Sequence, residues 1–140
     1  MPGDPATQGL IDTNIVVLLA RLDPAQLPDE MVISAVTLAE LSAGPHHADT
    51  PAERARRMNV LQHVEATFDP LPFDAAAARA FGLASAAVLA AGRKPRSRLA
   101  DLMIAATAMA HRLPLYTPNP DDFAGLDGHV AVMAVDVPRS

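Results

Sequence analysis

Short apolar runs alternate along this chain with longer segments in which apolar residues recur at helical spacing. The apolar runs 9–11, 31–33, 113–116 and 130–135 predict short buried strands, and the run 68–71 is a weaker candidate. Strands that alternate with helices predict an α/β fold, in which a short parallel central sheet is flanked by helices on both faces. Binding sites in such folds form at the carboxyl ends of the strands.

Several helix boundaries carry their own signals. Thr50 is a capping residue and begins a predicted helix over about 51–64. Asp74 can cap an alanine-rich helix that Gly92 can end, and another helix is expected over about 99–111. We find no internal repeat or low-complexity linker, so residues 1–140 are expected to form a single domain.

The composition excludes several classes of function. The chain contains no cysteine, which excludes disulfide scaffolds, thiolate zinc sites and thiol catalysis. The most apolar stretch, 75–91, carries Arg79 and is shorter than the roughly 20 residues that a membrane span needs. No signal peptide is visible at the start of the sequence. We therefore expect a soluble, cytoplasmic protein without a membrane partner.

Charge is unevenly distributed along the chain. The formal net charge of −5 argues weakly against a nucleic-acid partner. However, Arg93, Lys94, Arg96 and Arg98 fall within six residues, and such a group can contact an RNA backbone if it lines the right surface. A solvated loop is an equally good interpretation of these four residues.

Acidic residues occur where a site of an α/β fold is expected. Asp12 directly follows the first predicted strand, although it could simply cap a helix beginning near Thr13. Glu40 follows the second strand, and on this segment alone we favour a capping box in which Glu40 bonds the backbone of Thr37. Asp101 lies near the start of a helix that is almost wholly apolar, so its carboxylate is expected to be buried. The interaction of a carboxylate with the helix N-terminus is too weak to offset the free-energy cost of burying the charge. We therefore expect Asp101 to have a cation partner.

The segment 117–123 follows the third strand and contains Asp121 and Asp122. Proline and aspartate are ordinary turn residues, and the spacing does not choose between the two acids. If four such carboxylates converge, each pair at ~4 Å repels by about 4 kcal/mol at an effective dielectric constant of ~20. Proton uptake or a divalent cation must relieve that repulsion, and oxygen ligands favour Mg²⁺, with Mn²⁺ as a possible substitute.

Taken together, these motifs resemble the PIN domains, and among them the VapC-type toxins of bacterial toxin–antitoxin pairs. The motifs that carry the resemblance are Asp12-Thr13-Asn14, Glu40 within 36–41, Asp101 within 101–108, and the segment 117–123. The resemblance implies a Rossmann-like PIN fold, a homodimer and Mg²⁺-dependent endonucleolytic cleavage of RNA. It also implies inhibition by a small VapB-type antitoxin whose tail enters the active-site groove.

The resemblance also implies roles for individual residues. It makes all four acids catalytic and part of the metal site: Asp12 and Asp101 as direct metal ligands, Glu40 as the second acid, and Asp122 as the fourth, which completes the outer coordination. The family often has an acid where this chain has Asn119, so Asn119, Asp121 and Asp122 remain alternatives for the fourth position.

The reaction we expect is hydrolysis by a metal-activated water, without a covalent enzyme intermediate. Glu40 would orient that water or accept its proton. Thr13 and Asn14 would support the metal shell or contact a phosphate oxygen, and Asn119 would contact RNA.

Two other functions remain open from the sequence. A non-catalytic RNA-binding PIN module would retain the fold and use the carboxylates structurally. Phosphoryl transfer to Asp12 would need a lysine near the phosphate, and the chain's only lysine, Lys94, lies in a basic loop rather than after a strand. The sequence does not distinguish tRNA, rRNA and mRNA as substrates.

Overall fold

The computed structural model describes residues 7–138, in which four strands and five α-helices are joined by loops and short 3₁₀ turns. In chain order these elements are β1 (Gln8–Ile11), α1 (Thr13–Leu18), β2 (Glu30–Val32), α2 (Ala35–Ala43), α3 (Pro51–Thr67), α4 (Ala75–Ala90), α5 (Leu99–Ala110), β3 (Leu115–Thr117) and β4 (Val132–Ala134).

The strands form one parallel sheet in the order β2-β1-β3-β4. Each of the four stronger apolar runs supplies one strand, so the predicted parallel α/β sheet is confirmed. The weaker candidate, 68–71, is wrong as a strand, because only an isolated bridge joins Leu71 to Ser34. The central strand β1 pairs with β2 on one side and with β3 on the other, and this brings the ends of β1 and β3 together.

Each face of the sheet has its own apolar core, because successive strand residues point to opposite faces. Leu10 and Leu115 lie in one cluster, packed with buried residues of α4 and α5. Ile11 and Tyr116, the next residues along each strand, lie in the other cluster, which includes Ile15 of α1. Helices therefore cover both faces, as expected, and the carboxyl edge of the sheet is left for polar side chains.

Helix α2 begins earlier than the sequence suggested. Ser34 is its N-cap, and the Ser34 hydroxyl accepts a hydrogen bond of 3.1 Å from the Thr37 amide. Thr37 is thus inside the helix, and the capping box between Thr37 and Glu40 is wrong. The expected caps of α3 and α4 are confirmed: Thr50 accepts from the Glu53 amide, and Asp74 caps α4 in the same way.

The alanine-rich helix α4 packs against α5 through small side chains. Ala77, Ala80 and Ala84 are buried on the inner side, whereas Leu83 and Leu89 on the outer side are each 61% exposed. Core packing therefore accounts for the inner face only. Among the helices described within 7–138, none has the length and apolar character that crossing a membrane would require.

Candidate carboxylate active site

Asp12 lies at the end of β1 and is only 4% exposed. It is the N-cap of α1, and its Oδ1 atom accepts a hydrogen bond of 2.8 Å from the Thr13 amide. The capping role considered for Asp12 is thus confirmed. Its other oxygen, Oδ2, accepts a second bond of 2.8 Å from the Thr117 hydroxyl. Both carboxylate oxygens are therefore fixed, and a site role is compatible with the capping role.

Thr117 is a site residue for which sequence reasoning gave no role. It is fully buried at the end of β3, and the register that pairs Ile11 with Tyr116 places it beside Asp12. Its hydroxyl donates to Asp12 and accepts a hydrogen bond of 3.0 Å from the Asn119 amide. The signal was present in the sequence, since Asp12 and Thr117 are each the first polar residue after an apolar strand.

Glu40 is held by Thr13 rather than by its own helix start. The Thr13 hydroxyl donates a hydrogen bond of 2.6 Å to Glu40 Oε1, and its oxygen lies 3.0 Å from the hydroxyl oxygen of Thr37. Thr37 is fully buried and is 3.5 Å from the Ser34 hydroxyl, which donates to it. Thr13 therefore orients an acid in this structure, and its expected contact with the metal shell or a phosphate stays a prediction.

Asp101 lies in the first turn of α5, where the sequence placed it, and is partly buried. Burial is the largest factor that raises its pKa, to about 6, from the ordinary 3.8. The negative charges of Asp12, Asp122 and Glu40 raise it further, in that order, and Arg98 lowers it. Four acids from distant parts of the chain therefore share one electrostatic environment.

Asp122 is the acid of segment 117–123 that faces this environment. Asn119 and Asp121 are exposed, whereas Asp122 is partly buried and raises the pKa of Asp101. Arg98 Nη1 lies 3.1 Å from Asp122 Oδ1. The ion pair that we expected for Asp101 is thus made by Asp122, and Arg98 acts on Asp101 only through its charge.

The pKa of Asp12 is also raised, chiefly by burial, with smaller contributions from the charges of Glu40 and Asp122. The hydrogen bonds from Thr117 and Thr13 oppose this rise. Across residues 7–138, no three His, Cys, Asp or Glu side chains are arranged so that they could hold one metal ion together. The four acids consequently do not form a closed cage of direct ligands.

This open donor set nevertheless fits Mg²⁺. That ion is usually bound through one or two carboxylates and keeps several of its waters, so a closed protein cage is not needed. The donors here are oxygens, and their mutual repulsion and burial favour either a proton or a cation at the site.

The basic residues of 93–98 divide into two groups. All four are exposed, but Arg93, Lys94 and Arg98 line a cavity that Asp122 also lines, whereas Arg96 is not among the lining residues. Asn14 is exposed in the first turn of α1, one residue after Thr13.

Comparison with known proteins identifies the family. The family model described as "PIN domain" matches residues 10–128, a range that contains all four acids. The chain belongs to the PIN-domain family. This PIN domain is 39% identical over 132 residues to Ribonuclease VapC5 of Mycobacterium tuberculosis, and the match covers 92% of this chain and 95% of that protein. It is 32% identical over 126 residues to the tRNA(fMet)-specific endonuclease VapC of Shigella flexneri, with 85% and 92% covered.

Solved structures agree with this assignment. The crystal structure of VapBC-5 from Mycobacterium tuberculosis, a member of the VapBC family of toxin-antitoxin systems, contains a chain that matches this PIN domain with a TM-score of 0.80 and 39% identity. That match covers 94% of this chain and 99% of the other. The resemblance to VapC-type PIN domains that the motifs indicated is therefore confirmed, as is the PIN-like fold.

Proposed function

We propose that this PIN domain is an Mg²⁺-dependent endoribonuclease, with Asp12, Glu40, Asp101 and Asp122 as its acidic site. One observation carries the proposal: Asp12 and Asp101, which are far apart in sequence, are both desolvated, and the charge of Asp12 raises the pKa of Asp101, while Glu40 and Asp122 raise the pKa of both. Such an arrangement is unfavourable unless it serves to bind a cation. The similarity to Ribonuclease VapC5 supports RNA as the substrate.

Asp12 and Asp101 would hold the ion directly. Both carboxylates are partly desolvated, and Asp12 is fixed through both oxygens, so little ordering remains to be done when the ion binds. Asp122 is paired with Arg98 and would act on the ion's hydration shell. When bound, Mg²⁺ supplies a water of lowered pKa and positive charge beside the scissile phosphate.

Glu40 is suited to take a proton during hydrolysis. Thr13 fixes its Oε1 atom, so the carboxylate has a defined orientation, and the second oxygen of the same group can accept a proton. The pair formed by Thr13 and Glu40 joins α1 to α2 at the same edge as Asp12. The chain thus offers a base held at a fixed angle next to the two proposed metal ligands.

The test is cleavage of end-labelled total RNA by the purified chain, with Mg²⁺ and with a chelator. Wild type is expected to cut at selected sites in Mg²⁺ only. Asp12→Asn and Asp101→Asn should abolish cutting, because each removes a charge that the ion needs. Asp69→Asn is the matched control: Asp69 is an exposed carboxylate in the loop after α3, and its variant should cut like wild type.

Three results would reject the proposal in different ways. Cutting that persists in both acid variants would show that these carboxylates are not the site. RNA binding without cutting in Mg²⁺ or Mn²⁺ would favour a non-catalytic binding module. An acid-labile phosphate on Asp12, in the absence of RNA cutting, would favour phosphoryl transfer.

We further propose that the chain is the toxin of a toxin–antitoxin pair and binds a small VapB-type antitoxin. A cavity of about 460 Å³ is lined by residues of α1, α2 and α3, among them the apolar Val17, Leu41 and Val60, and Glu40 is also part of its lining. An antitoxin tail bound there would reach the acidic site. Co-expression with a short partner encoded next to this gene should give a stable complex that no longer cuts RNA, and Val60→Asp should weaken that complex.

A homodimer is also part of this proposal. The exposed side chains Leu83 and Leu89 on the outer side of α4 are available for contact with a second copy. Light scattering of the purified chain should give twice the monomer mass, and Leu83→Glu should reduce it.

A further inference from the structure

A cavity of about 330 Å³ lies next to the acidic site and carries the opposite charge. It is lined by Arg93, Lys94, Ser97 and Arg98 together with Asp122, and Leu102 contributes apolar surface. Three cations thus face one carboxylate. Asp122 belongs to both places, since it lines the cavity and its charge raises the pKa of Asp12 and of Asp101. The cavity and the proposed cleavage site therefore share a wall.

Arg98 connects the two places. Its Nη1 atom lies 3.1 Å from Asp122 Oδ1, and its side chain is 45% exposed. A guanidinium carries five N–H donors in a planar fork, so a single contact with one carboxylate oxygen leaves donors for another anion. Arg98 is thus a cation that is anchored beside the acids and still open to the cavity.

We infer that this cavity binds a phosphodiester group of the RNA strand close to the bond that is cut, and that Arg98 is its main ligand. This inference rests on the proposed ribonuclease function and deepens it. A phosphate is the anion that an RNA strand presents at every nucleotide, and arginine binds it through paired hydrogen bonds. With Asp122 as the shared wall, a strand held in the cavity passes directly beside Asp12 and Asp101.

The cavity lining distinguishes Arg96 from the other three cations of 93–98. Arg96 has the same charge and sits in the same loop, but it is not among the residues that line the cavity. If loop charge alone attracts RNA, Arg96 and Arg98 will contribute equally. If the cavity is a phosphate site, Arg98 will contribute more to RNA affinity than Arg96, and that contribution will come from contact with one phosphate of the strand.

The experiment measures binding of a short fluorescein-labelled oligoribonucleotide that spans the wild-type cut site. Fluorescence anisotropy in chelator, where no cutting occurs, gives the affinity over a series of KCl concentrations. Arg98→Gln should weaken binding about tenfold, as expected for one charge-assisted hydrogen bond near solvent. It should also make the slope of log affinity against log salt shallower by about 0.7, the value for one phosphate contact on a single strand.

Two variants serve as comparisons. Arg96→Gln should give a smaller loss, and Arg79→Gln, which removes an equal charge from the exposed side of α4, should bind like wild type. Methylphosphonate substitution then locates the contact. One neutral linkage should weaken wild type strongly and leave Arg98→Gln unaffected, because the two changes remove the same interaction. Urea unfolding of each variant confirms that the fold is retained.

The outcomes separate this inference from the proposed function. Wild type that cuts RNA, together with an Arg98→Gln variant that matches Arg79→Gln in affinity and salt slope, overturns the phosphate site and leaves the ribonuclease intact. Wild type that neither binds nor cuts RNA overturns both. An Arg98→Gln variant that binds RNA normally and loses only the antitoxin complex overturns the inference, because the cavity would then bind an acidic peptide.

Discussion

The hydrogen bond from Thr117 to Asp12 allows a quantitative test of how the site is held. Thr117→Val keeps nearly the same volume and removes the hydroxyl that donates to Asp12 Oδ2 over 2.8 Å. Both side chains are buried, so water does not easily replace the lost donor. A hydrogen bond to a charged group in such a place is worth about 1.5–3 kcal/mol.

That energy acts on the ionised form of Asp12. Since 1.36 kcal/mol corresponds to one pH unit, the pKa of Asp12 should rise by about 1 to 2 in Thr117→Val when no metal is present. The unfolded chain is unaffected, so the variant should lose stability as the pH rises through the pKa of Asp12, and the difference from wild type should shrink in acid. A part of the loss that does not depend on pH is also expected, because the Asn119 amide loses its acceptor.

The assay is a titration of the aspartate carboxyl carbons by ¹³C NMR in chelator, with urea unfolding at the same series of pH values. Thr117→Ser retains the hydroxyl and is the matched control. It should keep the pKa of Asp12 near that of wild type. Equal Asp12 pKa values in the valine and serine variants would refute the view that this hydroxyl stabilises the charged acid.

Three further predictions concern other parts of the molecule. Thr37→Val should lower kcat about tenfold with little change in KM, because Thr13 loses the hydroxyl partner that helps it hold Glu40. In single-turnover cleavage, Thr37→Ser should restore the rate, because serine retains that hydroxyl. In chelator, the wild-type urea midpoint should fall as the pH rises from 3.8 through about 6, since Asp101 binds its proton more tightly when folded. Mg²⁺ should reverse that fall, and Asp101→Asn should show a smaller fall, because only the raised pKa of Asp12 then remains. A flat wild-type profile would contradict the raised pKa of Asp101. Gly9→Ala should destabilise the fold by about 1–3 kcal/mol, as overpacking does, because its Cβ would lie 2.5 Å from Tyr116 Cε1; an unchanged urea midpoint would show that the ring moves freely.

The architecture could be predicted because it depends on patterns that are local in sequence. The apolar runs around Leu10 and Leu115 are short and bounded by polar residues, and each formed a strand of the parallel sheet. The run ending at Leu71 failed because a strand also needs a neighbour that pairs along its length, and only one bridge to Ser34 formed. Pairing along the length of a strand depends on the tertiary fold, so it produces no periodic pattern in the sequence that could predict it.

The acids were found for a similar reason, whereas the groups that orient them were not. Asp12 stands out as a charge at the end of an apolar strand. Thr117 and Thr37 are neutral, and their roles depend on distant partners: the Thr117 hydroxyl meets the Asp12 carboxylate across 105 residues of sequence, and the Thr37 hydroxyl meets that of Thr13 across 24. The capping box at Glu40 failed because two cap residues competed, and Ser34, three residues before Thr37, begins the helix.

The raised pKa values of Asp12 and Asp101 have a consequence for how such a sequence can change. Two like charges in a partly dry position oppose folding, and an amide in either place would relieve that opposition while keeping the shape. Substitutions that improve expression or heat resistance are therefore expected to accumulate at these positions when the protein is selected only for solubility. Thermal stability gained at these positions would coincide with a loss of cation affinity. A screen for thermally stable variants of this chain would therefore enrich variants that bind the metal ion poorly.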